Sequence, residues 1–186
     1  RCSNRWGFSR CVAGLLELAH YFSSQSEPLA HSLLFIAFTA EEFGLIGAKY
    51  YVNNPLNRLD KTVAMLNMDM IGHSRSNQLV VQGVGTTPAW AEILEQINHT
   101  YRFELAKQKD GPGPSDQSAF YQKKRPVLAF FTGAHDDYNR STDDFWRLNY
   151  PAQENIVKFV RDVVLAIEHR GEPLPFTKAE SQHQQG

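Results

Sequence analysis

The chain has 186 residues, which corresponds to one domain, or to one domain with a small appendage. Hydrophobic residues make up 42% of it and charged residues 21%, so there is enough apolar material for a packed core, and wholesale disorder is excluded. The formal net charge of -1 gives no strong field that would favour nucleic acid or anionic lipid. No apolar run approaches the roughly 20 residues that a membrane span needs.

The beginning of the chain is unusual. Residue one is Arg1, the three methionines all lie between residues 65 and 70, and no basic-then-apolar leader precedes the fold. We therefore expect a piece of a longer precursor. Cys2 and Cys11 lie near this end, and both a disulfide and two thiols are consistent with one such pair.

Hydrophobic periodicity predicts helices that alternate with strands. Apolar residues at helical spacing mark the first and last helices, and the uninterrupted apolar run over residues 33–38 favours a strand that is covered on both faces. In chain order the predicted elements are helix 12–22, strand 33–38, helix 43–52, strand 63–68, strand 78–82, helix 88–99, helix 115–122, strand 126–132 and helix 151–169. This alternation indicates an α/β domain with a largely parallel sheet.

The C-terminal end of the last helix marks the predicted domain boundary. Gly171 follows the helix, and the polar residues 172–186 are typical of a frayed tail. We therefore predict one domain over residues 1–170, with residues 1–11 atypical, and a polar C-terminal tail over residues 171–186.

Charged and imidazole side chains follow three of the predicted strands. Glu41 and Glu42 come after the first strand, Asp69 after the second and His135 after the fourth. Ligands bind at the carboxyl ends of parallel strands, and carboxylate with imidazole is a donor set of zinc. Each residue alone has a simpler interpretation, namely a helix cap for the Glu pair, a turn residue for Asp69 and a solvated loop residue for His135. Both interpretations remain open on spacing alone.

Several segments resemble the co-catalytic zinc aminopeptidases, the clan that also holds glutamate carboxypeptidase, the glutaminyl cyclases and the metal-free transferrin receptor domain. Residues 38–51 (FTAEEFGLIGAKYY) resemble its "AEE.GL.GS..Y" signature, and residues 67–72 (NMDMIG) resemble its "N.DMIG" element. Residues 115–120 (SDQSAF) and 130–138 (FFTGAHDDY) are similar to "SDH..F" and "FFTG.H.DYH". Residues 12–19 resemble the helix that follows the first metal-binding loop of the family.

The resemblance implies roles for four residues. Glu41 would be the general base that takes a proton from the attacking water. Glu42 and His135 would bind one zinc ion, and Asp69 would bind the other. The implied fold is a mixed, mostly parallel central sheet flanked by helices on both faces, and incomplete at the N-terminus. The implied activity is that of an exopeptidase on peptides with a free N-terminus, secreted or periplasmic.

The chain also departs from the family pattern. The family's upstream "H.D" element would lie before Arg1, and Gly7 stands where the family has its bridging aspartate. Gln117 stands where the family often has histidine, and Asn139 replaces the last histidine of "DYH". We therefore expect weak zinc binding and little peptidase activity from these residues alone. A single-zinc acyl transferase of the glutaminyl cyclase type and a metal-free interaction domain are the alternatives.

Overall fold

The computed structural model describes residues 5–74, 76–109, 111–138 and 140–179, with side chains from residue 11 onward. Its helices are α1 (Arg5–Ser23), α2 (Ile46–Asn53), α3 (Ala89–Tyr101), α4 (Gln117–Gln122) and α5 (Tyr150–His169). Its strands are β1 (Met65–Asp69), β2 (Gln78–Gln82), β3 (Glu104–Gln108) and β4 (Val127–Phe131). Cys2 lies outside the described residues. No helix within these ranges is long and apolar enough to cross a membrane.

The four strands form one mixed sheet in the order β1-β4-β2-β3. The pairs β1–β4 and β2–β3 are parallel, whereas β2–β4 is antiparallel. The predicted mixed, mostly parallel sheet is therefore confirmed. In the β1–β4 pair Asp69 lies opposite Phe131, so the segments that follow these two strands leave the sheet side by side. This register brings the loops after β1 and β4 to one edge.

Helices cover both faces of the sheet, as predicted. The larger core contains buried residues of α1, α3 and α5, and the smaller core contains those of α2 and α4. Strand β4 separates the two cores, since Leu128 and Phe130 contribute to the larger one and Val127 to the smaller one. This alternation follows from the two-residue period of a β-strand.

The predicted strand over residues 33–38 is wrong. This segment is not part of the sheet, and among the described residues β4 is the one strand that pairs with β1. Leu33 and Phe35 pack against the larger core, but Leu34 is 50% exposed, so the run is not covered on both faces. The continuous apolar run resembles a buried strand in sequence, yet a strand also needs a hydrogen-bonded neighbour, which periodicity does not supply.

The structure adds β3, which sequence reasoning missed, and it moves several helix ends. Strand β3 alternates exposed and half-buried residues at the sheet edge, where Glu and Lys weaken the apolar signal. Helix α1 begins at Arg5, ahead of the predicted start at residue 12. Helix α2 begins at Ile46 and not at residue 43, because Gly44 (φ 91°) and Leu45 (φ 62°) have left-handed backbone. Helix α4 likewise begins at Gln117, after the predicted start at residue 115.

The described part of the predicted tail, up to residue 179, packs against the domain. Leu174 and Ala179 are buried, and the ring of Phe176 lies 5.4 Å from that of Tyr121. The Ala179 N–H donates to the Tyr121 hydroxyl at 3.1 Å. Residues 172–179 are therefore not frayed, because a few apolar residues fix this largely polar segment.

Candidate metal and catalytic site

Left-handed backbone lies next to two of the candidate site carboxylates. Ala40, directly before Glu41, has φ 55°, and Met70, directly after Asp69, has φ 49°. Non-glycine residues in this left-handed region cost free energy and are concentrated at functional sites. The turn after Ala40 is tightened by Gly47, whose N–H donates to the Thr39 carbonyl at 3.1 Å.

Glu41 and Asp69 interact electrostatically. Burial raises the pKa of Glu41, and the charges of Asp69 and Glu42 raise it further, whereas a hydrogen bond with Ser115 lowers it. Burial is also the main cause of the raised pKa of Asp69, to which the charge of Glu42 adds. Glu42 itself is exposed. The carboxylates thus repel one another in a partly dry site, which is the environment that favours a cation or a retained proton.

Asp116, just before α4, is the third member of this carboxylate group, and it is buried, whereas Glu41 and Asp69 are partly buried. Burial raises the pKa of Asp116 to about 6, and the charges of Glu41 and Asp69 contribute to the shift. Its Oδ1 atom is buried without a hydrogen-bond partner in the described part of the chain. Sequence reasoning assigned it no role, although the Ser115-Asp116 pair lies within a motif that carries the resemblance.

We expect Asp116→Asn to change the pH dependence of stability in the chelator-treated chain. The folded chain holds the Asp116 proton more tightly than the unfolded chain, so its free energy of unfolding falls as the pH rises from 3.8 towards about 6. Asparagine removes this fall, and we expect the variant to be more stable than the wild type at pH 7.5 by on the order of 1 kcal/mol, reduced from the full shift by screening. Urea unfolding at pH 4.5 and 7.5 measures the difference, and equal pH slopes for both proteins would contradict it.

His135 lies in a second group, with His73 and Asp143. The rings of His73 and His135 are stacked with centroids 3.7 Å apart, and His73 Nε2 lies 2.8 Å from Asp143 Oδ1. All three side chains are buried, and one potential ligand atom from each lies within 4.8 Å of the others. Among the described residues, His73, His135 and Asp143 are the group of three potential metal ligands whose donor atoms lie this close together. His73 lies four residues after Asp69 in the chain, which by itself gives no geometric reason to assign it a role, and no sequence motif marks Asp143.

The structure thus divides the predicted site residues between two groups at one sheet edge. Glu41 and Asp69 belong to the carboxylate group, and His135 belongs to the histidine group. The predicted ligands Glu42, Asp69 and His135, which the resemblance divides between two ions, do not form one group within 4.8 Å among the described residues. Nitrogen and oxygen donors are nevertheless both present, and the orphaned Asp116 oxygen lies among acidic neighbours, so the donor chemistry fits zinc.

Gln117 has a structural role at the position where the resembling family often has histidine. It is fully buried, its Nε2 donates to the Pro112 carbonyl at 2.7 Å, and its Oε1 accepts from Asn67 Nδ2 at 2.8 Å. The amide therefore links β1 to the loop before α4, next to Asp116. This position orders the site and supplies no ionisable group.

Comparison with known proteins identifies the family. The profile of peptidase family M28 matches residues 9–164, which is most of the chain. The chain belongs to peptidase family M28. The match covers every strand of the sheet and all four predicted site residues.

The matches between this M28 chain and its curated relatives cover only part of each relative. Leucine aminopeptidase 2 of Trichophyton rubrum is 36% identical over 120 residues, which are 57% of this chain and 23% of that protein. Leupeptin-inactivating enzyme 1 of Streptomyces exfoliatus is 36% identical over 135 residues, which are 69% of this chain and 28% of that protein. The chain therefore spans about a quarter of the length of these relatives.

A solved structure shows the same fold. BSAP, a zinc aminopeptidase from Bacillus subtilis, superposes with a TM-score of 0.72 at 22% identity. The superposition covers 90% of this chain and 44% of the BSAP chain. At this identity the likeness supports the fold alone. It agrees with the mixed sheet and with helices on both of its faces.

Proposed function

We propose that this chain carries the catalytic region of a metal-dependent aminopeptidase, which hydrolyses the peptide bond after the N-terminal residue. The observation that carries the proposal is the convergence of Glu41, Asp69 and Asp116 with their raised pKa values at the edge where β1 ends. Perturbed carboxylates in one group are typical of sites that move protons or bind cations. The name of the Trichophyton rubrum relative, leucine aminopeptidase 2, supports the same activity.

Glu41 is the proposed general base. The pKa of Glu41 is raised towards neutral pH, where accepting a proton from water and donating it to the leaving amine are both efficient. The Ser115 hydrogen bond holds the Glu41 carboxylate in place during this exchange. Asp116, held close by, keeps the local charge negative, which favours a substrate with a protonated N-terminal amine.

The proposed metal is zinc, with the ligands that the resemblance assigns. Glu42 and His135 would hold one ion and Asp69 the other. When bound, zinc lowers the pKa of a coordinated water to about 7 and polarises a carbonyl oxygen. This chain's part is to supply the ligands and the proton acceptor. By the same resemblance we also propose peptide substrates and an extracytoplasmic location.

Hydrolysis of leucyl 4-nitroanilide by the zinc-saturated chain tests the proposal. Because these residues supply only part of the family's ligand set, we expect slow release of nitroaniline that disappears with chelator and returns with zinc, and no release from the N-acetylated compound. N-acetylation removes the amine that the negative edge would recognise, so equal hydrolysis of both compounds would contradict an aminopeptidase. Cyclisation of an N-terminal glutaminyl peptide without hydrolysis would instead support the glutaminyl cyclase type.

A further inference from the structure

The two ends of the β1–β4 strand pair differ in charge. Both strands run in the same direction, with Met65 opposite Val127, so the segments that precede them lie at one edge of the sheet and the loops that follow them lie at the other. Carboxylates follow the strands, whereas cations predominate before them, over residues 58–61 and 123–125. The net charge of -1 does not show this asymmetry, because it sums the charges of both ends.

Hydrogen bonds join the cationic segments into one surface. Arg125 Nη1 donates to the Asp60 carbonyl at 3.0 Å, which ties the turn before β4 to the segment before β1. Lys123 Nζ donates to Asn53 Oδ1 at 2.8 Å, which ties the same turn to the last residue of α2. The end of α2 and the two cationic segments therefore lie next to one another.

The second half of α2 and the segment after it add apolar side chains. Ala48 and Val52 pack in the smaller core with residues of α4, and the helical period places Tyr50 on the opposite side of α2. Tyr50 is 69% exposed, and Leu56, which follows the helix, is 83% exposed. Exposed apolar side chains that are rimmed by polar residues mark protein or membrane interaction sites when they lie together.

The charge of this surface is positive because its lysines are not neutralised. One ion pair lies within it, since Arg58 Nη2 is 2.6 Å from Asp60 Oδ2 and Arg58 Nε donates to Oδ1 at 3.1 Å. The lysines form no ion pair with an acidic residue in the described part of the chain. We call the following exposed residues the basic surface: Lys49, Tyr50, Leu56, Lys61, Lys123 and Lys124.

This composition fits an anionic lipid membrane better than a protein partner. Lysines near a bilayer are attracted to anionic headgroups, and tyrosine and leucine bury their apolar parts at the boundary between headgroups and acyl chains. Lysine is depleted at protein–protein interfaces, where arginine is enriched, yet the unpaired cations of the basic surface are all lysines. A lysine is a mobile point charge, which suits the diffuse charge of a membrane.

We propose that the basic surface binds anionic lipid headgroups and holds the chain on a membrane as a peripheral protein. This interaction goes beyond the proposed hydrolysis and needs neither zinc nor turnover. The five residues of β1, at about 3.3 Å each, separate the segment that carries Lys61 from the carboxylates at the other edge of the sheet. A chain bound in this way keeps the edge where β1 ends away from the membrane and open to soluble peptides.

Co-sedimentation of the full chain with vesicles tests the proposal. We expect binding to vesicles that contain phosphatidylserine and none to vesicles of phosphatidylcholine alone. Raising the salt concentration to about 1 M, where the Debye length falls to about 3 Å, should release the chain. Absence of binding to the phosphatidylserine vesicles, or equal binding to both kinds of vesicle, would overturn the proposal.

Substitution of two lysines locates the interaction. Lys61→Gln/Lys124→Gln should lower the partition coefficient by about 25-fold, because each cation beside an anionic surface contributes about fivefold. The matched control is Arg102→Gln/Lys158→Gln, which removes cations after α3 and on α5, the helices that pack in the larger core. This control should bind as the wild type does. Equal losses in the two double variants would overturn the assignment to the basic surface.

Substitution of Leu56 tests the apolar part of the surface. Leu56→Ser should lower the partition coefficient by about fivefold, which is less than complete burial of a leucine side chain would give. Leu16→Ser, at an exposed position of α1, is the control and should have no effect. Unchanged binding by Leu56→Ser would contradict insertion of this side chain. Self-association of the chain that Leu56→Ser abolishes, without vesicle binding, would overturn the proposal in favour of an interface between copies.

A measurement on the unaltered chain needs no variant. With phosphatidylserine vesicles that contain a spin-labelled headgroup, the methyl signals of Leu56 should broaden, and those of Leu16 should stay sharp. Equal broadening of both signals, or none at Leu56, would overturn the proposal.

Discussion

Glu41→Gln is expected to reduce hydrolysis of leucyl 4-nitroanilide to the level of a zinc-only blank. A positioned general base contributes about 10²- to 10⁴-fold to the rate, and glutamine keeps the size and the hydrogen-bonding capacity of the side chain but cannot accept the proton. The effect should appear in kcat while KM stays close to that of the wild type, because Glu41 acts on the attacking water. Initial rates at saturating zinc over a range of substrate concentrations measure both parameters.

The control for this variant is Glu17→Gln, the same chemical change at an exposed position of α1. It should retain the wild-type rate. Zinc content is measured on both variants, since the role of Glu41 is to move a proton and not to hold the ion. Full activity in Glu41→Gln would refute the base, and a simultaneous loss of zinc would make Glu41 a ligand instead.

Thr86→Val is expected to destabilise the chain by about 2–6 kcal/mol, because two buried donors would lose their acceptor at about 1–3 kcal/mol each. Thr86 Oγ1 accepts from the Val127 N–H at 3.0 Å and from Trp90 Nε1 at 3.2 Å, and it donates to the Gly83 carbonyl at 2.7 Å. The hydroxyl thus connects β4, α3 and the turn between β2 and α3. Urea unfolding followed by circular dichroism gives the difference.

The adjacent residue provides a matched control. Thr87 is equally buried, but its hydroxyl has no hydrogen-bond partner in the described part of the chain. Thr87→Val removes an unpaired polar atom at nearly constant volume, so we expect unchanged or higher stability, within about 1 kcal/mol. Equal destabilisation by the two substitutions would show that side-chain shape, and not the Thr86 hydroxyl, supports this part of the core.

Secondary structure could be predicted where the local pattern is strong. Helix α5 combines an apolar stripe with Asn149, whose side chain caps the Ala152 N–H at 3.2 Å, and its predicted range differs by one residue at the start. Strand β2 was predicted at its observed bounds. A strand was predicted over residues 33–38 where the structure has none, and strand β3 was missed. Both errors arise because apolar content reports burial and not hydrogen-bonded pairing.

The sequence by itself determined the family motifs, the α/β class and the placement of Asp69 and His135 at the ends of two strands that lie side by side. These features are local, since each depends on a strand and the few residues that follow it. Only the tertiary structure decided that Asp116 joins Glu41 and Asp69, and that His73 and Asp143 join His135. The reason is that those contacts depend on how loops far apart in the chain fold back onto the sheet edge, and no periodicity within a segment encodes that distance.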